Sequence, residues 1–208
     1  MKVVFISDTH NKLAQIPVPD GDLLIHAGDF TGRGSLEEIK LFNRDLMRLP
    51  HKDKVIIAGN HDWSFQTKPA EARALLDKSI TYLEDSWTEV DGLKIYGSPW
   101  QPEFCNWAFN LPRLSPQIKA RWDAIQDDTD ILITHGPPYA IRDRVPRGEL
   151  VGCELLRERV FSLNLKVHVF GHIHCGYGLE THGKTTYINA SNLSEEYQPA
   201  YPPVVIEL

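Results

Sequence analysis

The hydrophobic positions of the chain fall into short continuous runs rich in β-branched residues, separated by longer stretches with apolar residues at helical spacing. Continuous apolar runs of four or five residues are typical of strands that are buried on both faces. We therefore predict buried strands at residues 3–7, 23–27, 55–58, 131–134 and 167–170.

The amphipathic stretches between these runs predict helices. Ser35 stands immediately before the first stretch and is a good N-cap residue. The alternation of strands and helices indicates an α/β fold with parallel strand pairs. The predicted helices cover residues 35–47, 69–78, 115–125 and 153–163.

A second group of strands is predicted at residues 80–83, 87–90 and 93–96, where Asp91-Gly92 forms a hairpin turn. Towards the end of the chain, Gly183 separates two strand-like segments, and residues 204–208 add a further strand. These segments favour antiparallel pairing. Together with the parallel strand pairs, they predict an α/β fold with two packed mixed sheets flanked by helices. No linker-like segment divides the 208 residues, so we predict a single domain over residues 1–208.

Composition narrows the class of protein. An apolar fraction of 42% and a charged fraction of 24% are typical of a soluble globular chain. The net charge of −6 argues against a basic groove for a nucleic-acid polymer, but it leaves room for a small phosphorylated ligand. No apolar run approaches the roughly 18 residues of a membrane span. The three cysteines lack metal-finger spacing, which is typical of free thiols in the cytoplasm, and the oligomeric state stays open.

Each of the five buried strands is followed directly by polar residues that can bind metals. One such Asp or Asn is commonly only a turn residue or a helix cap. Five such clusters have a common meaning, because ligands of α/β sheets bind beyond the carboxyl ends of the strands. The clusters are Asp8-Thr9-His10, Gly28-Asp29, Gly59-Asn60-His61-Asp62, His135-Gly136 and Gly171-His172-Ile173-His174.

Seven of these side chains offer hard oxygen or imidazole nitrogen atoms, a set that suits two first-row divalent ions. A structural zinc site would instead use four ligands and favour cysteine. The predicted ligands are Asp8, His10, Asp29, Asn60, His135, His172 and His174.

The five clusters, in this order, resemble the signature of the calcineurin-like metallophosphoesterase superfamily. Within it, the chain is most similar to the metallophosphoesterase-domain-containing branch of animal brain and bacteria, through segments such as IHAGDFT, THGPPYAIRD and HVFGHIHCGYG. The resemblance implies a four-layer αββα sandwich. Some animal members of this branch have Gly in place of His172 and are weakly active, whereas this chain keeps the histidine.

The resemblance also implies how the ligands are shared between two metals. Manganese is the expected ion, with iron, cobalt, nickel and zinc as alternatives that the ligand set does not separate. Two ions of this kind supply a hydroxide near neutral pH, which attacks phosphorus in line. The implied arrangement is Asp8, His10 and His174 on the first metal, Asn60, His135 and His172 on the second, and Asp29 between them.

The resemblance makes His61 the catalytic residue that steadies the phosphate or protonates the leaving oxygen, the alternatives being a ligand or a turn residue. In phosphoprotein phosphatases an Asp orients this histidine, but here Gly32 stands in its place, so the partner of His61 stays open. Arg33 is a candidate for binding phosphate or, equally, a solvent-facing residue.

The loop-like segment at residues 99–111 is rich in aromatic residues. Trp100 and Trp107 are candidates for a substrate wall, although aromatics in a loop more often pack beneath it. His26 and His168 lie inside apolar strands, and we interpret them as core histidines.

These observations and the resemblance predict a dinuclear-metal phosphoesterase that hydrolyses small phosphodiesters, with cyclic nucleotides as the expected class. Two alternatives stay open: a phosphomonoesterase such as a nucleotidase, and a nucleotide-binding scaffold with weak residual hydrolysis. The pocket beyond the metals decides between the two enzymes, and the sequence does not define it.

Overall fold

The computed structural model describes every residue from Met1 to Leu208 and has an α/β architecture. Thirteen strands and five α-helices follow one another along the chain. The strands are β1 (Lys2–Ile6), β2 (Leu23–His26), β3 (Asp53–Ile56), β4 (Ile80–Tyr82), β5 (Ser86–Val90), β6 (Leu93–Ser98), β7 (Gln101–Pro102), β8 (Asn110–Leu111), β9 (Ile131–Thr134), β10 (Val167–Phe170), β11 (Gly178–His182), β12 (Thr185–Asn189) and β13 (Val204–Glu207). The helices are α1 (Leu36–Leu46), α2 (Trp63–Thr67), α3 (Pro69–Ala74), α4 (Pro116–Asp123) and α5 (Glu154–Phe161).

Two large mixed sheets form the centre of the molecule. The first has the order β13-β1-β2-β3-β4, in which only β13 runs antiparallel to its neighbour. The second has the order β11-β12-β10-β9-β6-β5, with antiparallel strands at both edges and parallel pairs between them. The short strands β7 and β8 pair separately.

The hydrophobic core is divided into three layers by these sheets. Between the sheets, Val3 and Phe5 of β1 pack in the same cluster as Ile131 of β9 and Val169 of β10. The opposite face of β1 packs against α1, and helices α4 and α5 cover the outer face of the second sheet. Strands buried on both faces require continuous apolar runs, which explains the pattern in the sequence. The predicted αββα sandwich is confirmed.

Helices α1, α3, α4 and α5 begin within one residue of the predicted positions, α2 was not predicted, and α3 ends earlier than predicted. Ser35 caps α1: its side chain accepts a hydrogen bond from the Glu38 N–H, and the Glu38 carboxylate accepts one from the Ser35 N–H. The predicted helix at residues 69–78 ends at Ala74, because the chain turns there towards β4. No helix in the structure is both long enough and apolar enough to cross a bilayer.

One predicted strand grouping is wrong. The strand at residues 80–83 was grouped with the hairpin, but β4 pairs parallel with β3 and forms the edge of the first sheet. The hairpin of β5 and β6 belongs to the second sheet. Helices α2 and α3 form a crossover between β3 and β4, and such a crossover leads to a parallel neighbour in the same sheet. The chain therefore changes sheets after β4.

Candidate metal centre

The residues that follow five parallel strands meet at one edge of the paired sheets. Asp8 follows β1, Asp29 follows β2, Asn60 follows β3, His135 follows β9 and His172 follows β10. A bridge between Ser7 and Ser191 links the end of β1 to the segment after β12, so the two sheets are joined at this edge. The topology therefore brings residues from both sheets into one site.

The first cluster of ligand atoms belongs to Asp8, His10 and His174, and all of these atoms lie within 4.8 Å of one another. Oδ1 of Asp8 is 3.5 Å from Nε2 of His174. The Asp8 carboxylate is held in place by the Ser191 hydroxyl, which donates to Oδ2 at 2.7 Å, and by the backbone N–H of His172. These three side chains can hold one divalent ion.

The second cluster contains Asp29, His135 and His172, whose ligand atoms also lie within 4.8 Å of one another. Nε2 of His135 is 3.3 Å from Oδ2 of Asp29 and 3.0 Å from Oδ1 of Asn60. The Asn60 oxygen thus faces the same space as the imidazole nitrogen. These four residues can hold a second ion.

Asp29 lies between the two clusters. Besides its contact with His135, its Oδ2 is 3.9 Å from Nε2 of His10 and 4.0 Å from Nε2 of His61. Asp29 also forms a third cluster with these two histidines. A carboxylate that faces both groups of histidines is placed to bridge two cations.

The ring orientation of three histidines fits metal binding. Nδ1 donates to a backbone carbonyl in each case: His10 to Thr31 at 3.1 Å, His135 to Ala27 at 2.9 Å and His174 to Ser194 at 2.8 Å. A carbonyl only accepts, so each Nδ1 carries a proton, and Nε2 is the nitrogen that the neutral ring offers to a metal. Nε2 of His10 is buried and has no hydrogen-bond partner. The donor set therefore fits divalent metals.

Two carboxylates and one histidine of the cluster already have the protonation state that metal binding requires. Burial alone would raise the pKa of Asp8, but the hydrogen bond and charge of His174 hold that pKa well below its usual range. The pKa of Asp29 is likewise low, because His135 outweighs the effect of burial. Burial lowers the pKa of His10 to about 4, so this ring is neutral at neutral pH. The pKa values of His135 and His174 are instead raised to about 9, because the contacts with Asp29 and Asp8 outweigh burial, so a bound metal would displace a proton from each ring.

The backbone of the centre is strained. Four of the predicted ligands have a positive φ although they are not glycine: Asp8 (53°), His10 (36°), Asp29 (56°) and His172 (67°). Such conformations cost of order 1 kcal/mol or more each and concentrate at functional sites. The surrounding hydrogen bonds hold the ligands in these conformations.

Two glycines let the strand ends approach closely. A Cβ on Gly171 would lie 2.0 Å from Oδ2 of Asp8, and a Cβ on Gly59 would lie 2.3 Å from Oδ1 of Asp29. Any side chain at either position would collide with a predicted ligand. Only glycine therefore fits at position 59, before Asn60, and at position 171, before His172.

The structure supplies the partner of His61 that the sequence left open. Nδ1 of His61 donates to the backbone carbonyl of Gly32 at 2.7 Å, so Nε2 points towards Asp29. The indole of Trp107 stacks on the imidazole, with ring centroids 4.2 Å apart. A main-chain carbonyl thus takes the place of the Asp side chain of phosphoprotein phosphatases. Side-chain patterns do not encode such a contact.

Asp62 is a structural member of the centre whose role sequence reasoning missed. Its buried carboxylate accepts hydrogen bonds from the backbone N–H of Asp29, Gly59 and Thr31, and from the Thr31 hydroxyl. It thereby ties the loop after β2 to the loop after β3. Its place directly after His61 in the strand-end cluster was the available signal.

A cavity of about 380 Å³ opens beside the metal-binding residues. Trp107 lines it together with Phe104, as the sequence suggested for Trp107. Trp100 does not line it, and this prediction needs correction. Its indole N–H donates to Asp85 at 2.9 Å and its ring lies under the guanidinium of Arg121, partners that fix it outside the cavity.

Arg33 also lies outside the cavity lining, with its side chain exposed. Its backbone N–H is held by the Glu38 carboxylate. The alternative of a solvent-facing arginine therefore describes this structure.

Comparison with known proteins agrees with the geometry. The family described as Calcineurin-like phosphoesterase matches residues 1–176. In an alignment of 232 positions, the chain is 44% identical to Metallophosphoesterase domain-containing protein 1 of Homo sapiens. The alignment covers 100% of this chain and 71% of the relative. It is 38% identical to UPF0046 protein K07C11.7 of Caenorhabditis elegans, covering 99% of this chain and 74% of that protein.

Solved structures show the same fold at low sequence identity. One matches with a TM-score of 0.69 at 18% identity, covering 90% of this chain and 89% of that chain. The crystal structure of TT1561 of Thermus thermophilus matches with a TM-score of 0.59 at 14% identity, covering 90% of this chain and 88% of that chain. From its sequence match and its fold, the chain is a member of the calcineurin-like phosphoesterase family.

Proposed function

We propose that this metal-dependent phosphoesterase hydrolyses small phosphodiesters, with cyclic nucleotides as the substrate class, using two divalent ions and manganese as the expected metal. The observation that carries the proposal is the position of Asp29 between two groups of imidazole nitrogens. The cavity of about 380 Å³ lies within the usual range for small-molecule sites and suits a compact ester.

The ligands divide between two ions according to their clusters. Asp8, His10 and His174 would hold the first ion, Asn60, His135 and His172 the second, and the Asp29 carboxylate would touch both. When bound, two such ions would supply the positive charge that stabilises the phosphoryl oxygens and would lower the pKa of a water molecule towards neutrality.

The protein's own part is to fix the ligands and to keep their lone pairs directed inward. Backbone carbonyls hold the Nδ1 protons of His10, His135 and His174, so each ring presents Nε2. Asp62 fixes the loop that positions Asp29. Rigid support of this kind raises ligand basicity and orients the rings.

His61 would bind the phosphate oxygens or protonate the leaving oxygen. Its Nδ1 is engaged with Gly32 and its face is covered by Trp107, so Nε2 is the one free nitrogen. Nε2 is 4.0 Å from Oδ2 of Asp29, and the ring lines the cavity. A positioned imidazole of this kind typically contributes about 10²–10⁴-fold as a general acid.

The test is a turnover screen on protein stripped of metal and reloaded with manganese, iron, cobalt, nickel or zinc. Each form is offered a 3′,5′-cyclic nucleotide, bis(4-nitrophenyl) phosphate and the corresponding monoesters. We expect metal-dependent hydrolysis of both diesters. Hydrolysis of monoesters alone would establish the phosphomonoesterase alternative, and binding without turnover of any ester would establish the scaffold alternative.

A further inference from the structure

The part of the cavity beyond the metal-binding residues has its own chemistry. Phe104, Pro137, Val145, Val151 and Ile173 give it largely apolar walls. Phe104 is unusually exposed for its type, at 54%, and lines the same cavity as the aromatic ring of Trp107. A planar apolar group fits such walls.

The charges of this region disfavour a second anionic group. Arg113 is the only lysine or arginine that lines the cavity, and its guanidinium already donates to the carbonyls of Val151 and Gly152 and to the Glu154 carboxylate. The other charged residues of this region, Glu103 and Glu195, are acidic. The charges of this region therefore favour a neutral organic group over a second phosphate.

Gln101 provides a polar group in these apolar surroundings. The residue is only 2% exposed, lines the cavity, and its Oε1 has no hydrogen-bond partner. Its Nε2 donates to Oδ1 of Asn110 at 3.2 Å. A buried acceptor left without a partner costs stability unless a ligand satisfies it.

Asn110 fixes which end of the Gln101 amide is free. Nδ2 of Asn110 donates to the carbonyls of Phe104 and Cys105, at 3.0 and 3.3 Å. The Asn110 oxygen must therefore accept, and only the nitrogen of Gln101 can donate to it. A flipped Gln101 amide would place two oxygens against each other, so Oε1 stays the free acceptor.

Gly136 lies beside this acceptor on the cavity wall. A Cβ built on Gly136, which also lines the cavity, would lie 3.8 Å from Oε1 of Gln101 and 3.3 Å from its Cβ. Outside the immediate chain neighbours, no other atom lies within 4 Å of that position. The glycine thus keeps a side chain from separating the Gln101 amide from the cavity.

We propose that Gln101 selects the substrate: its Oε1 accepts a hydrogen bond from an N–H or O–H donor on a neutral, planar organic group of the ester. An amino-bearing nucleobase and the hydroxyl of its ribose are the two donors that a cyclic nucleotide offers. This inference rests on the proposed function of the site. Gln101 is here a specificity-determining residue and takes no part in bond cleavage.

The test compares three ligands that differ by single donors. Adenosine 3′,5′-cyclic phosphate is matched with the purine-riboside analogue, which lacks the amino group, and with the 2′-deoxy analogue, which lacks the ribose hydroxyl. Dissociation constants are measured by calorimetry on manganese-loaded protein that carries His61→Asn, so that turnover does not consume the ligand. The same titrations are repeated with Gln101→Met added, which keeps the length of the side chain and removes its acceptor.

We expect the removal of one of the two donor groups from the ligand to weaken binding about tenfold when Gln101 is present. The reason is that Oε1 of Gln101 is then desolvated and has no hydrogen-bond partner. In Gln101→Met that loss should shrink to less than about twofold. Weaker binding of the purine-riboside analogue would identify the amino group as the donor to Gln101. Weaker binding of the 2′-deoxy analogue would identify the ribose hydroxyl. Equal affinity for all three ligands when Gln101 is present, or an unchanged difference in Gln101→Met, would overturn the inference.

Hydrolysis of bis(4-nitrophenyl) phosphate separates this inference from the proposed function. That diester has no N–H or O–H donor, so Gln101→Met alone should lower kcat/KM for the cyclic nucleotide more than kcat/KM for this diester. A wild type that hydrolyses no diester refutes the proposed function, while the calorimetric comparison still decides the role of Gln101. A large loss of diester hydrolysis in Gln101→Met would count against a selective role.

Discussion

At the scale of single residues, the candidate metal centre depends on histidines whose Nδ1 atoms are held by main-chain carbonyls. The carbonyls of Thr31, Ala27 and Ser194 each hold one imidazole, and the carbonyl of Gly32 holds His61. Sequence reasoning can identify the histidines, because they follow buried strands. It cannot identify carbonyl partners, since every residue has one.

Asp29→Asn should abolish metal-dependent hydrolysis. The substitution keeps the size of the side chain but removes the charge that faces both clusters, and losing such a ligand typically costs about 10-fold to 100-fold or more in metal affinity or activity. Metal content and turnover are measured together. Asp45→Asn is the matched control, because Asp45 is also a buried carboxylate but pairs with Arg44 and Arg48 at the end of α1. Full activity in Asp29→Asn would refute its bridging role.

His61→Asn should lower kcat by about 10²-fold or more while the metal content stays at the wild-type level. If His61 protonates the leaving oxygen, the loss is larger for a cyclic nucleotide than for bis(4-nitrophenyl) phosphate, because nitrophenolate leaves without a proton. The readout is the ratio of kcat between the two substrates. An equal loss with both would favour phosphate binding over proton transfer.

At the scale of elements, the beginning of α1 connects helix capping to the position of His61, the proposed acid. The Glu38 carboxylate completes the capping box with Ser35 and also accepts hydrogen bonds from the Gly32 N–H and the Asn11 side chain. Gly32 in turn holds His61. One side chain thus stabilises the helix and fixes the loop that orients the proposed acid.

Ser35→Ala and Glu38→Ala separate these two roles. Each should reduce the free energy of unfolding by about 1 kcal/mol through loss of the cap. Only Glu38→Ala should also reduce turnover, because it releases the Gly32 loop. Urea unfolding and steady-state kinetics provide the two readouts. Equal turnover in the two variants would show that the loop keeps its position without Glu38.

The elements also show where sequence reasoning works and where it fails. Strands such as β1 and β10 are predictable because burial on both faces demands an unbroken apolar run. The crossover through α2 and α3 determines which sheet β4 joins. The hydrophobic pattern of the β4 segment itself does not reveal this pairing. Trp100 was misplaced for a similar reason, since its partners Asp85 and Arg121 are distant in the sequence.

At the scale of the whole molecule, buried histidines make stability depend on pH. His168 is fully buried in β10, its Nε2 donates to the Thr134 hydroxyl, and its Nδ1 has no partner. Burial lowers the pKa of His168 from 6.5 to about 3. Below pH 6.5 the unfolded chain therefore binds a proton that the folded chain does not, so this contribution to stability is lost as the pH falls towards 3.

His168→Gln tests this dependence, since Gln keeps a donor for Thr134 and does not titrate. Between about pH 7 and pH 5 the free energy of unfolding of the wild type should fall by about 2 kcal/mol more than that of the variant. Urea unfolding of both metal-free proteins at the two pH values provides the measurement. Parallel decreases would mean that the imidazole is protonated in the folded state.

The two-sheet architecture is what assembles the site from distant parts of the chain. Asp8 and Asp29 come from the first sheet, His135 and His172 from the second, and Ser191 after β12 holds Asp8 across the junction. The predicted ligands can be recognised in the sequence because they all follow strands. The cavity beyond them is built from loops, whose course the sequence does not express, so Gln101 and Phe104 emerge only in the structure.

A manganese titration of metal-stripped protein tests whether two metal ions act together in this site, with bound metal and turnover of bis(4-nitrophenyl) phosphate measured on the same samples. We expect turnover to rise to a plateau at about two ions per chain and to disappear on chelation. Undiminished turnover by the metal-free protein, or a plateau at one ion, would refute the two-metal centre.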